Sequence, residues 1–175
     1  MSVQKALDSF GTSVVNGARK ELNRQDKNAS KRLSKSLDYK VKVSKNSFQF
    51  DFLMEDYGEF IDKGVHGVGG TKADGSKWKK KKVVGSKFKY TNKRPPTQAF
   101  NGWTIRRGIA PRSKGGQFTS RKGILFAIAN SVYHTGLETT HFLTKPFNRA
   151  FKTFPTDVAE AFGLEAEKLL EIALA

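Results

Sequence analysis

The stretch LDYKVKVSKNSFQFDFL, residues 37–53, decides the fold class. Leu37, Tyr39, Val41 and Val43 alternate with Asp38, Lys40, Lys42 and Ser44; after Lys45, Asn46 and Ser47, Phe48, Phe50 and Phe52 alternate with Gln49 and Asp51. Successive side chains of a strand point to opposite faces, so this period of two predicts a β-hairpin with one buried face. Such a face needs helices to cover it. The N-terminal segment and residues 121–135 are the candidates.

Upstream, Ser2 is placed to cap a helix in which Val3, Leu7, Phe10, Val14 and Ala18 recur at spacings of three and four, running to about Leu22. Residues 23–36 are polar and admit either renewed helix or a linker. Downstream, Met54, Tyr57, Ile61 and Val65 return to helical spacing, and Gly64 with the glycines of His66-Gly-Val-Gly-Gly stops that short helix. Thr119 or Ser120 then caps a helix carrying Ile124, Leu125, Ile128 and Val132 and stopped by Gly136. Thr144 caps a short helix with Pro146 near its first turn, and Thr156 caps a last helix with Val158, Phe162, Leu169 and Ala173 on one side. The expectation is an α+β fold: one domain, residues 1–175, whose small antiparallel sheet (hairpin 37–53) is packed by N-terminal and C-terminal helices. A long basic arm, 66–118, is inserted between the halves 1–65 and 119–175.

That arm dominates the electrostatics. Of the 32 Lys and Arg in the 175-residue chain, 17 lie in residues 63–122, accompanied by one acid, Asp74. The rest of the chain holds 15 basic and 15 acidic groups, so the whole formal charge of +16 comes from this window. Its natural partner is a polyanion or an acidic protein surface. The absence of cysteine excludes a disulfide framework, a thiol nucleophile and thiolate zinc sites. No apolar run approaches the roughly 18 residues of a membrane span, and Ser2, Gln4 and Asp8 stand where a signal peptide is apolar. With 37% hydrophobic residues and 14 Phe, a folded body carrying a polar arm is the expected arrangement.

Within the arm, Trp78 precedes Lys79, Lys80, Lys81 and Lys82; then come Lys87, Phe88, Lys89, Tyr90, Lys93 and Arg94, and finally Trp103, Arg106 and Arg107. Cations neutralise phosphates and interleaved aromatics stack on bases, which suits single-stranded or non-specific nucleic-acid contact. Docking on an acidic neighbouring subunit, lying beside encapsidated DNA without reading it, or a simply solvated loop are the blander readings. The segment shows no sustained periodicity, and a free arm predicts that removing residues 70–115 leaves the subunit folded. Glu55, Glu59 and Asp62 fall at helical spacing and would line one face, either as a partner-facing acidic stripe or as oxygen ligands for a hard metal in a nuclease. Charge runs are more often mere surface, and neither a metal nor another cofactor is expected. The stripe of one subunit is a possible receptor for the cationic arm of the next, a head-to-tail contact that closes into a ring. His66, His134 and His141 lack metal-binding spacing, the glycines at 64, 67, 69 and 70 lack the Lys-Ser/Thr ending of a phosphate loop, and no GxSxG elbow occurs. Nothing points to nucleophilic catalysis.

Four features in order form a further pattern: the N-terminal amphipathic helix; the hairpin ending in Phe50-Asp-Phe-Leu-Met; Glu55-Asp-Tyr-Gly-Glu-Phe-Ile-Asp-Lys-Gly-Val; and Phe142-Leu-Thr-Lys-Pro-Phe-Asn-Arg-Ala-Phe. Over residues 1–65 and 119–155 it resembles the tail-completion and head-to-tail connector proteins of tailed bacteriophages. Tyr57, Asp62 and Gly64 match a Tyr, an acidic position and a Gly after the hairpin in that family, and Pro146 and Phe147 match its late Pro-Phe. The typical link between the two halves is much shorter. The resemblance implies a non-enzymatic structural virion protein, made in the host cytoplasm and placed in the neck. It also implies a sixfold or twelvefold homo-oligomeric ring that meets portal, adaptor or tail proteins, with sequence-independent contact to genomic DNA possible and no membrane partner.

Overall fold

Ser2 sits in extended backbone and its Oγ accepts a hydrogen bond from the Lys5 N–H at 3.3 Å, which caps helix α1 (Val3–Arg24). The computed structural model describes residues 2–27, 30–44, 47–110, 112, 115–118 and 120–174, with the side chains of the last helix up to Gly163 and those of 166, 167 and 172. After α1 come α2 (Arg32–Ser36), β1 (Asp38–Ser44), β2 (Ser47–Leu53), α3 (Gly58–Lys63), β3 (Val65–His66), a 3-10 turn (Thr97–Phe100), α4 (Asn101–Arg106), α5 (Arg121–Thr135), β4 (Gly136–Leu137), α6 (Thr144–Phe151) and α7 (Phe154–Leu174). The fold is α+β, with two antiparallel two-stranded sheets, β1–β2 and β3–β4, among the described residues. The chain divides into two units: 1–25, 32–55 and 142–175 make the first, 26–31 and 56–141 the second.

In the first unit the hairpin pairs Tyr39 with Phe52, Val41 with Phe50 and Val43 with Phe48, so the alternating apolar side chains share one face as expected. The core under that face is built on Phe10. Its ring lies 4.2 Å from Phe154, 5.0 Å from Phe50 and 5.7 Å from Phe147, mostly in the edge-to-face arrangement that aromatic quadrupoles favour. Leu7, Val14, Val158 and Ala161 complete the buried cluster, with Val41, Phe52, Leu143 and Ala150 packed around it. Cover for the hairpin therefore comes from α1, α6 and α7, and not from residues 121–135, which form α5 in the second unit.

Two glycines in α1 make this packing possible. A Cβ at Gly11 would overlap the Tyr39 ring, and one at Gly17 would lie 2.7 Å from the Pro146 Cβ, so each allows a neighbouring element to reach the helix backbone. Arg19 secures the entry to the hairpin, donating to the Ser34 and Leu37 carbonyls at 3.1 and 2.8 Å.

Several helix boundaries differ from the sequence reading. The undecided segment 23–36 contains the end of α1 and all of α2. Thr144 is the first residue of α6 and not its cap, because Leu143 takes the N-cap position. Helix α7 begins at Phe154, before Thr156, since Pro155 lacks an N–H and suits a first helical turn where that group has no partner. Phe162 is 57% exposed although Val158 and Ala161 are buried. The side chains of Leu169 and Ala173, the residue Thr119 and the turn residues Lys45 and Asn46 lie outside the described set.

Phe10→Ala removes the ring at the centre of this cluster and is expected to destabilise the first unit by about 3–5 kcal/mol, read by chemical denaturation. A loss below about 1 kcal/mol would contradict the assignment of Phe10 as the hub.

Candidate functional site: a cationic face on the second unit

The second unit concentrates charge: it contains 19 Lys and Arg against 6 acidic residues, whereas the first contains 13 against 10. How this charge is displayed follows from how the backbone is satisfied. Helix α3 is only six residues long, and its last carbonyls find partners across the chain. The Thr139 and Thr140 hydroxyls donate to Lys63 O and Ile61 O at 2.8 and 2.7 Å, while the Thr140 and His141 N–H groups donate to Asp62 O at 3.2 and 2.9 Å. Gly64, at φ +77°, ends the helix; a Cβ there would meet Leu137 O at 2.7 Å. The chain then runs directly into β3, paired with β4 through Val65–Leu137 and His66–Gly136.

Strands of two residues leave backbone groups unpaired on their outer edges, and residues of the basic segment fill them. On the β3 side, the His66 N–H donates to Phe88 O and the Tyr90 N–H to His66 O, both at 2.9 Å, in a parallel bridge between His66 and Lys89. On the β4 side, the Lys81 N–H donates to Thr135 O at 2.8 Å, the Thr139 N–H to Lys82 O at 3.3 Å, and the Val84 N–H to Thr139 Oγ1 at 3.0 Å. Residues 88–90 thus flank β3, while 81–84 are bonded to the residues on either side of β4. The connecting residues are tied as well: Ser86 Oγ donates to Gly64 O at 2.6 Å, and the Trp78 N–H to Gly70 O at 2.9 Å.

This arrangement splits the basic segment by side-chain type. Trp78 stacks on the His134 imidazole of α5, with centroids 5.0 Å apart and planes within 4°; His134 Nδ1 is itself bonded to Gly69 O. Phe88 packs edge-on against Phe60 of α3 at 4.8 Å, and Tyr90 against Tyr133 of α5 at 6.0 Å. Burial pushes the Tyr90 hydroxyl above its ordinary pKa. The three rings are half-buried, whereas Lys79, Lys80, Lys81, Lys82, Lys87, Lys89, Lys93 and Arg94 are exposed. Among the described residues, no carboxylate lies within 4.0 Å of a side-chain nitrogen of these eight cations. Arg94 lies over Phe126 and Tyr133, at 5.3 and 5.8 Å from their centroids, in cation–π geometry.

The remaining sequence candidates are elsewhere. Trp103 is 40% exposed on α4, which follows the 3-10 turn that packs on α5; Arg106 is exposed, and Arg107 is paired with Asp26. The expected acidic stripe does not form. Helix α3 starts at Gly58, so Glu55 precedes it and pairs with Arg32 at 3.2 Å. Glu59 binds Lys63 at 2.6 Å, a hydrogen bond that, with the nearby Lys87 charge, holds its carboxyl below the usual carboxylate range. Asp62 is buried. No three His, Cys, Asp or Glu side chains are grouped to hold a metal among the described residues. Tyr57 occupies the N-cap position of α3 with its ring 38% exposed, Pro146 is buried against Gly17, and Phe147 packs on Phe10, Phe52 and Phe151.

Comparison of the chain with models of known protein families, with curated proteins and with solved structures finds no match. No helix among the described residues is long and apolar enough to cross a membrane.

Sequence reading missed the 3-10 turn and α4, and it missed the inward role of the aromatics. A signal for the latter was present: Lys87-Phe88-Lys89-Tyr90 alternates with a period of two, as a strand with one covered face does. Because 70–90 supplies backbone partners to β3, to the end of α5 and to Thr139 beyond β4, this segment is not a detachable arm. A chain lacking residues 70–90 is expected to lose the dispersed amide resonances of 58–66 and 121–141 while keeping those of the first unit. Unchanged dispersion in both regions would contradict the account.

Proposed function

We propose that the chain is a structural subunit of the head-to-tail connector of a tailed bacteriophage, assembling as a sixfold or twelvefold ring in the neck. The observation that carries this reading is the apolar surface of the first unit. Its core is complete, yet Val43 and Phe48 at the turn end of the hairpin, Leu53 at its open end, Phe151 on α6 and Phe162 on α7 remain exposed. Large apolar side chains left outside a finished core are what inter-subunit and inter-ring contacts bury. The ordered resemblance to tail-completion proteins supports the same reading. Gly64, Pro146 and Phe147, which carry it, stand at positions where packing restricts the residue: a positive φ against Leu137 O, a close approach to Gly17, and a place against Phe10.

In this reading the protein acts by assembly and not by catalysis. Its partners are further copies of itself and portal, adaptor or tail proteins in the virion. A second reading, a sequence-independent nucleic-acid-binding protein outside the particle, is favoured by the exposed lysines of 79–89. Quantitative mass spectrometry of purified, DNA-filled particles separates the two. The connector reading predicts a copy number equal to, or half of, that of the portal subunit. Absence from the particle would overturn it.

A further inference from the structure

We infer that the cationic face of the second unit binds the phosphate backbone of duplex nucleic acid, without reading bases and without stacking on them. The inference rests on the fold of the second unit and stands apart from the ring reading: the chain can bind duplex without being a virion component, and the reverse.

Three features of the face choose this ligand. First, the rings interleaved with the lysines of 77–90 are turned inward. Trp78 is stacked on His134, Phe88 packs on Phe60, and Tyr90 packs on Tyr133. Single-strand binding grooves depend on such rings standing free as stacking platforms. Second, the outer side of 77–90 is built from lysine, with no Arg, Asn or Gln in that span to form bidentate contacts with base edges. Lysine ammonium groups are point charges on flexible stems, suited to phosphates at any register and blind to sequence.

Third, the face has the wrong composition for a protein partner. Protein interfaces are depleted in Lys and anchored by aromatic side chains. Between residues 75 and 122 there is no acidic residue at all. A uniform positive surface matches a uniform negative one, and duplex DNA carries one charge per about 1.7 Å of axis. The backbone bonds to His66 of β3 and to Thr135 and Thr139, which flank β4, hold the lysines of 81–82 and 87–89 on fixed segments. Part of the ordering cost of binding is thereby met during folding.

The test is fluorescence anisotropy with the full-length chain and a labelled mixed-sequence duplex of about 30 base pairs, titrated over a range of sodium chloride concentrations. Six lysine–phosphate contacts predict that log affinity falls against log salt with a slope of about −5. Lys79→Gln, Lys81→Gln and Lys89→Gln together are expected to reduce that slope by about 3, one per contact removed. All three side chains are exposed and far from carboxylates, so the variant's circular dichroism is expected to match the parent's. Trp103→Ala is expected to leave affinity unchanged, since the exposed indole takes no part. A slope unchanged in the triple variant would overturn the proposal, as would tighter binding of a thymidine single strand than of duplex. So would a tenfold loss in Trp103→Ala, or displacement by poly-glutamate as effective as by DNA of equal charge, the last indicating an acidic protein as the partner.

Discussion

A β-strand of two residues cannot satisfy its own edges, and in this protein that constraint organises the whole second unit. His66 directs its N–H and C=O toward Phe88 and Tyr90, while Thr135 and Thr139, on either side of β4, bond Lys81, Lys82 and Val84. Once those backbone bonds are made, strand alternation dictates the rest. Phe88 and Tyr90 face α3 and α5, and Lys87 and Lys89 face solvent. The positive face is thus a by-product of completing a very small sheet, and its charges are fixed in place by the same bonds.

The two units divide the labour that composition only hints at. The first has an almost balanced charge and a phenylalanine core in which each ring touches several others, so its folding depends on shape. The second has few buried apolar side chains of its own, Val65, Leu125 and Ala129 among them. It relies instead on backbone lacing, threonine hydroxyls and edge-on aromatic contacts. A unit built in this way tolerates a high density of like charge because the cations sit in water, where their repulsion is screened over about 8–10 Å.

What was legible in the sequence was whatever local periodicity controls. The hairpin announced itself because four and then three apolar residues alternate on either side of a short polar turn, and α1 because Val3, Leu7, Phe10, Val14 and Ala18 keep helical spacing beneath a serine cap. Gly64 and Gly136 marked helix ends correctly because both require positive φ. The failures were non-local. Nothing near Glu55 reveals that α3 waits until Gly58 and is closed from behind by Thr139 and Thr140, nor that Asp62 is buried. In 66–118, four residues of alternation are too short to stand out among fourteen Lys and Arg, and the strand they complete lies more than twenty residues away in sequence. Only the fold shows that Tyr39 and Pro146 fill the space left by the glycines at 11 and 17.

The central claim is that the basic segment is ordered by backbone bonds to β3, to the end of α5 and to Thr139, with the rings of 78–90 inside and its lysines outside. Amide hydrogen exchange of the intact chain tests this most directly, because it reports each bond separately. The account predicts that the amides of His66, Trp78, Lys81 and Tyr90 are protected to a degree comparable with the middle of α5, while those of Lys79, Lys87 and Lys89 exchange quickly. Exchange of all these amides at the rate of an unstructured chain would contradict it.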